Sequence, residues 1–275
     1  MSAHSRWRLR YSKLGKLRFV GHRDVARLWE RALRAAQVPV ALSGGFTPRP
    51  RLSFGLALPT GAESRAEYLD VIVDGTRLVG STHLDEVWLL ERVAPVLPPG
   101  LTIDAAMAVD LGAPSLQEVV VATTWELTLQ QTTGLTDASQ LEVAVERVLA
   151  ADEVPLTRER KGVTSIDDVR ASIEQLSPRF QQGGLHLTAV LATEGRALRP
   201  AELVRALLPE CDPFEVLVRV LRTHQWIEDD GARRALQPAA GALASARGGT
   251  TWTAPIPPPG HSPSAATSAP QLTTT

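Results

Sequence analysis

Four arginines, Arg23, Arg27, Arg31 and Arg34, recur at i, i+4, i+8 and i+11, while Val25, Leu28, Trp29, Ala32, Leu33 and Ala36 hold another phase of the same period. At about 100° per residue the two sets occupy opposite sides of one helix. A planar guanidinium grips phosphate through two parallel N–H donors, so a stripe of them suits a polyanion such as RNA. The same stripe would also serve as a solvated face, or lie against an anionic membrane surface.

Other groups with usable chemistry surround the stripe. Arg8, Arg10, Lys13, Lys16 and Arg18 precede it. The segment 43–51 (SGGFTPRPR) follows, with Ser43, Gly45, Phe46, Arg49 and Arg51. Such a loop can cradle phosphate with backbone N–H groups while Phe46 stacks on a base and the arginines close over the backbone. It lacks the Walker spacing of a nucleoside-triphosphate site, and a plain turn between strands would want the same glycines and prolines. His22 stands where a strand hands over to the helix. There it serves either as a general acid/base for RNA cleavage, with arginines stabilising charge on phosphorus, or, with Asp24, as a helix cap. His83, His186 and His224 are scattered without metal-ligand spacing, and no Ser/His/Asp arrangement is evident, so no metal and no cofactor are expected.

Charge is distributed unevenly. Residues 1–51 hold twelve lysines and arginines against two acids, a net +10, so the remaining residues must carry −11 to give the total of −1. Clustered like charge costs self-repulsion, which argues for an anionic partner at the first segment. The single cysteine, Cys211, cannot form an internal disulfide or hold an iron–sulfur cluster. No apolar run approaches the roughly 18 residues of a membrane span, and the N-terminus lacks the apolar stretch of a signal peptide. A cytoplasmic protein without membrane contact is the expectation.

The elements that must carry these residues alternate. Residues 7–11 alternate apolar and basic as a half-buried strand does, placing the basic side chains on one face, and 17–20 resume that pattern after a turn at Gly15. A helix is predicted over 23–37, strands over 52–58 and 68–73, a helix over 84–93 and a strand over 101–109. After the DLGAPS passage at 110–115 the order repeats, with strands at 125–129, 185–191 and 216–221 and helical faces at 141–149 and 203–208. The expected fold is α+β, two tandem ferredoxin-like (βαββαβ) units over 1–111 and 116–232. Residues 235–275, rich in Ala, Gly, Ser, Thr and Pro, read as a disordered tail.

The string from Gly15 to Asp70 resembles the N-terminal signature of the radical SAM-linked family, a domain of unknown function (DUF2344). The resemblance is carried by Lys13, Gly15, Leu17-Arg18-Phe19-Val20-Gly21-His22 and Asp24; by Ser43, Gly45-Phe46-Thr47-Pro48-Arg49-Pro50 and Phe54-Gly55; and by Leu58-Pro59, Gly61, Ser64 and Glu67-Tyr68-Leu69-Asp70. Weaker echoes at Ile166-Asp167-Asp168 and Arg222-Thr223 extend it over about the first 225 residues. Gly21 stands where the pattern often has Ser, and Arg49 where it often has His, which keeps a phosphate-competent side chain but removes a titratable one. The resemblance implies a separately encoded radical SAM partner, because this chain has no CxxxCxxC motif. The leading expectation is a non-catalytic accessory protein that binds structured RNA and docks that partner on its acidic second half. The alternatives are a metal-independent endoribonuclease using His22 and a pure protein-interaction module.

Overall fold

A computed structural model describes residues 4–78, 84–132, 134–160, 162–181, 184–229 and 232–236. Its first half runs β1 (His4–Lys13), α1 (His22–Ala35), β2 (Leu52–Phe54), β3 (Glu63–Asp74), α2 (Glu86–Val93) and β4 (Leu101–Val109). β1 lies between β4 and β3, antiparallel to both, and β2 pairs antiparallel with β3. The strand order is therefore β4-β1-β3-β2. On one side of these strands Leu9, Tyr11, Leu69, Val71 and Val73 form a core with Val25, Trp29 and Leu33 of α1 and Leu89 and Val93 of α2. Trp29 is wholly buried and meets the Tyr11 ring edge-on at 4.9 Å.

The second half runs α3 (Leu116–Val119), β5 (Val120–Leu129), α4 (Ala138–Ala150), β6 (Pro155–Arg160), β7 (Val163–Asp168), β8 (Ile173–Gln181), β9 (Gly184–Ala192), α5 (Pro200–Leu207), α6 (Pro213–Val216), β10 (Leu217–Asp229) and β11 (Ala232–Ala235). β5 lies antiparallel between β10 and β9, and β8 pairs antiparallel with β9, giving β10-β5-β9-β8. The β6-β7 hairpin forms a separate two-stranded sheet. Alternating residues such as Leu127, Leu187 and Ala189 pack beneath Leu141, Val145 and Val148 of α4 and Leu203 and Leu207 of α5. The two sets of strands join into one nine-stranded sheet where β3 and β10 run parallel, Leu221 beside Glu63 and Arg222 beside Ser64. This is a mixed α+β fold. Among the described residues no helix is long and apolar enough to cross a membrane.

Several expected elements differ. The strand expected to resume at 17–20 is a single 3-10 turn, Gly15–Phe19, because Gly15 turns the chain at φ +63° and its N–H donates to the Glu63 carboxylate. The strand expected over 52–58 stops at Phe54, where the chain leaves β3 for a loop whose Leu58 and Ala62 pack into the second half's core. β6, β7 and β8 have no counterpart in the sequence reading. The hairpin's positions are mostly polar and solvent-facing, and β8 (IEQLSPRFQ) shows no clean alternation. The first two residues of the expected tail are ordered instead, Ala235 ending β11 and Leu236 buried with its N–H donating to the Gln225 carbonyl, while residues 237–275, like His83, lie outside the described residues.

Gly100 fixes the return into β4. It sits at φ +93°, and a Cβ there would lie 2.7 Å from the Leu14 carbonyl oxygen and 3.2 Å from the Leu17 side chain. Gly100→Ala is expected to lower stability by about 1–3 kcal/mol, combining a left-handed backbone with a clash on main chain, and thermal denaturation checks it.

Candidate nucleic-acid interface

The alternation that puts Trp7, Leu9 and Tyr11 under the helices sends Arg6, Arg8 and Arg10 to the opposite side of the sheet. The basic strand face and the arginine stripe therefore do not form one surface, although both belong to the charge-dense residues 1–51. They lie on opposite sides of a layer. Arg6 and Arg8 are moreover buried. Asp70 accepts from Arg6 Nε at 3.0 Å, from Arg8 Nε at 2.8 Å and from Arg8 Nη2 at 3.0 Å, while Arg6 also donates to the carbonyls of Ala113 and Pro114. Arg8 is thus a structural cation rather than a phosphate ligand. Lys13 is another, 3 % exposed with Nζ donating to the Val20 carbonyl at 2.9 Å. Burial lowers its pKa, against the opposing pull of the Glu67 carboxylate. Arg10 is half-buried and donates to the Arg65 carbonyl at 3.2 Å.

The same burial explains much of the motif that carries the resemblance. Glu67 accepts from the buried Arg222 of β10, and Asp70 from Arg6 and Arg8. Tyr68, buried among Ala66, Leu116, Val120 and Leu236, has its hydroxyl pKa pushed up to about 12 by desolvation. Burial pushes Glu63 up, but hydrogen bonds from Arg219 and the Gly15 amide outweigh it and hold the carboxyl below its ordinary range. These residues hold strands together and tie the two halves at their seam.

A second group has no such structural task. Arg23, Arg27, Arg31 and Arg34 are all exposed along the outer face of α1. Only Arg27 is ion-paired among the described residues, to Asp24 at 3.1 Å with both side chains mostly in solvent, a pair worth little. At 1.5 Å per residue the stripe is about 16 Å long. Beside its C-terminal end the loop 43–49 projects. Ser43 closes its base through backbone and side-chain bonds with Arg49, Gly45 turns at φ +107°, and Phe46 at the tip is fully exposed. Arg49 and Arg51 are exposed beside it, and Lys16 is exposed in the 3-10 turn.

Two openings flank the stripe. At the C-terminal end a groove of about 630 Å³ is lined by Arg34, Arg77, Arg92 and Trp88, with the Arg92 guanidinium 4.8 Å over the Trp88 ring. Sequence reasoning missed Arg77, Arg92 and Trp88 because they lie outside the charge-dense window and join it only through the packing of α2. At the N-terminal end a cleft of about 780 Å³ opens between the halves. Arg18, Phe19, His22 and the 57–62 loop form one side, Arg199, Ala201, Phe214 and Val218 the other. Gly61 donates to the Arg18 carbonyl at 2.7 Å, which fixes the first wall. The N-cap of α1 is Gly21, with no side-chain cap bond, so the capping role considered for His22 and Asp24 is not what the geometry holds. His22 is exposed, its ring edge-on to Phe54 at 5.3 Å. His186 and His224 lie away from it on β9 and β10. Among the described residues no group of three or more His, Cys, Asp and Glu side chains could hold a metal ion.

His224 has a separate consequence for stability. It stacks on Trp226 at 5.1 Å, and burial, reinforced by the nearby Arg10 charge, lowers its pKa from 6.5 to about 4. The unfolded chain takes up this proton at higher pH than the folded one, so the imidazole's contribution is intact above about pH 6.5 and drains away as pH falls toward 4. Denaturant titrations across that interval should show a downward slope in the parent that is flatter in His224→Gln.

An α+β sheet protein with one helix layer turned outward as a guanidinium surface, and an opening between its halves at the head of that helix, is the class defined by this geometry. The profile of the family described as "Uncharacterized protein conserved in bacteria (DUF2344)" matches residues 6–200, and the chain belongs to that family. The match ends at the start of α5, short of α6 and β10. No curated protein matches the chain.

Proposed function

We propose that the protein is a non-catalytic accessory factor that holds a structured RNA on its outward α1 face and works in the cytoplasm with a separately encoded radical SAM protein in RNA modification or processing. The observation that carries this reading is the alignment of Arg23, Arg27, Arg31 and Arg34 on one exposed face, continued by Arg77 and Arg92 beyond one end and by Arg18 and Arg199 beyond the other. Arg8 and Lys13 drop out of the binding set. Supporting the architectural reading, each half has the order of a ferredoxin-like unit, β4-β1-β3-β2 and β10-β5-β9-β8, the second carrying the β6-β7 hairpin as an insertion. Within the proposed division at 110–115, Arg6 donates to the carbonyls of Ala113 and Pro114. The partner rests on the resemblance and the lone cysteine, and the acidic second half supplies the docking surface.

Equilibrium binding to a hairpin RNA across a salt series tests the RNA reading. The logarithm of the association constant should fall linearly with that of salt concentration, by roughly 0.7 to 0.9 per phosphate neutralised, with several phosphates engaged. Binding that ignores salt would leave the protein-interaction module standing instead. The nuclease alternative is weaker on chemical grounds. Cleavage through the 2′-hydroxyl needs one group to accept a proton and another to protonate the leaving oxygen. Among the described residues lining the cleft, His22 is the only histidine and there is no aspartate or glutamate to act as its proton-transfer partner, so the RNA should emerge from the incubation uncut.

A further inference from the structure

Resting on the RNA-binding reading, we infer that the cleft at the head of α1 receives one unpaired nucleotide of the bound RNA, its base against Phe214 and Phe19 and its phosphate between Arg18 and Arg199. The cleft has the volume of a small-ligand site, about 780 Å³, and its described lining holds two arginines and His22 but no aspartate or glutamate. That charge balance suits an anion.

The aromatic rings are the second observation. Phe19 is 62 % and Phe214 80 % exposed, and both line this one cleft. Neither position is accidental in its backbone. Phe214 is the second residue of the short α6, started by Pro213 and by Asp212, whose carboxylate accepts from the Phe214 N–H at 2.9 Å. Phe19 ends the 3-10 turn, with the Arg18 guanidinium 4.8 Å over its ring. Rings presented in this way, with a cation stacked on one of them, are what bases stack against.

Geometry then selects the kind of nucleotide. His22, in the cleft wall, directly precedes Arg23, the first residue of the stripe, so an RNA backbone lying along α1 passes the opening. Bases inside an A-form duplex are stacked and sheltered, and only an unpaired base can leave the helix and enter an opening beside it. A bulge, loop or single-stranded end fits both features at once, with duplex phosphates on α1 and the extruded base between the halves.

Two labelled hairpin RNAs, identical except that one carries a single bulged 2-aminopurine, test this with the full-length chain. The parent should bind the bulged hairpin about tenfold more tightly, with the 2-aminopurine fluorescence quenched by stacking. Phe214→Ala, at a solvent-exposed position and with an unchanged melting temperature, should abolish the preference and the quenching while leaving affinity for the fully paired hairpin intact. Phe214→Trp should retain both. Equal affinity of the parent for the two hairpins, or a preference that survives Phe214→Ala, overturns the nucleotide assignment and leaves the stripe as an RNA surface. Failure to bind either hairpin overturns both readings.

Discussion

Replacing Asp70 with alanine is expected to destabilise the fold by about 3–5 kcal/mol, the cost of leaving buried charge without its counter-charge. Asp70 is 2 % exposed and serves two guanidiniums that are themselves 8 % and 7 % exposed. After the substitution Arg6 keeps the carbonyls of Ala113 and Pro114, but Arg8 keeps no side-chain partner among the described residues. Denaturant unfolding measures the loss. A midpoint within about 0.5 kcal/mol of the parent would show that water reaches Arg8 and that the triad is not the dry contact described above. Asp70→Asn is expected to fall between the two, since it retains acceptor geometry without charge.

Reversing Arg27 and Arg34 to glutamate together should lower RNA affinity by roughly 100-fold or more at moderate salt, because two favourable phosphate contacts become two repulsive ones. Both side chains point away from the Val25, Trp29 and Leu33 face, so the melting temperature should hardly move. The salt dependence should become shallower in the same variant. Undiminished binding with a native melting curve would mean that the stripe is only a solvated face, and the proposed role would fall with it.

The α1 stripe was legible because a surface helix carries its burial pattern in its own sequence. Val25, Trp29 and Leu33 announced the inner face and the arginines the outer one. The strand arginines misled for a physical reason. Alternation reveals that Arg6, Arg8 and Arg10 share a face but not whether that face meets water, and here Asp70, α3 and the linker cover much of it. Asp70 is more than sixty residues away in sequence, so no local window contains the neutralising charge. The cleft was hidden likewise. Its first wall could be named from Arg18, Phe19 and His22, but Arg199 and Phe214 reach it only through the pairing of β10 with β3. The strands of the second half were partly readable where Leu127 and Leu187 alternate with polar residues, and unreadable in β8, where Pro178 and neighbouring polar residues blur the period.

The seam between β3 and β10 spans just two paired positions and is riveted by Glu63 with Arg219 and Glu67 with Arg222. Apolar packing flanks that short ladder, with Leu58 and Ala62 in the second half's core and Ala66 and Tyr68 against Leu116, Val120 and Leu236. The gape between Phe19 and Phe214 is therefore held by ion pairs and apolar packing together, and a neighbouring protein would have to unseat both before it could change what fits there.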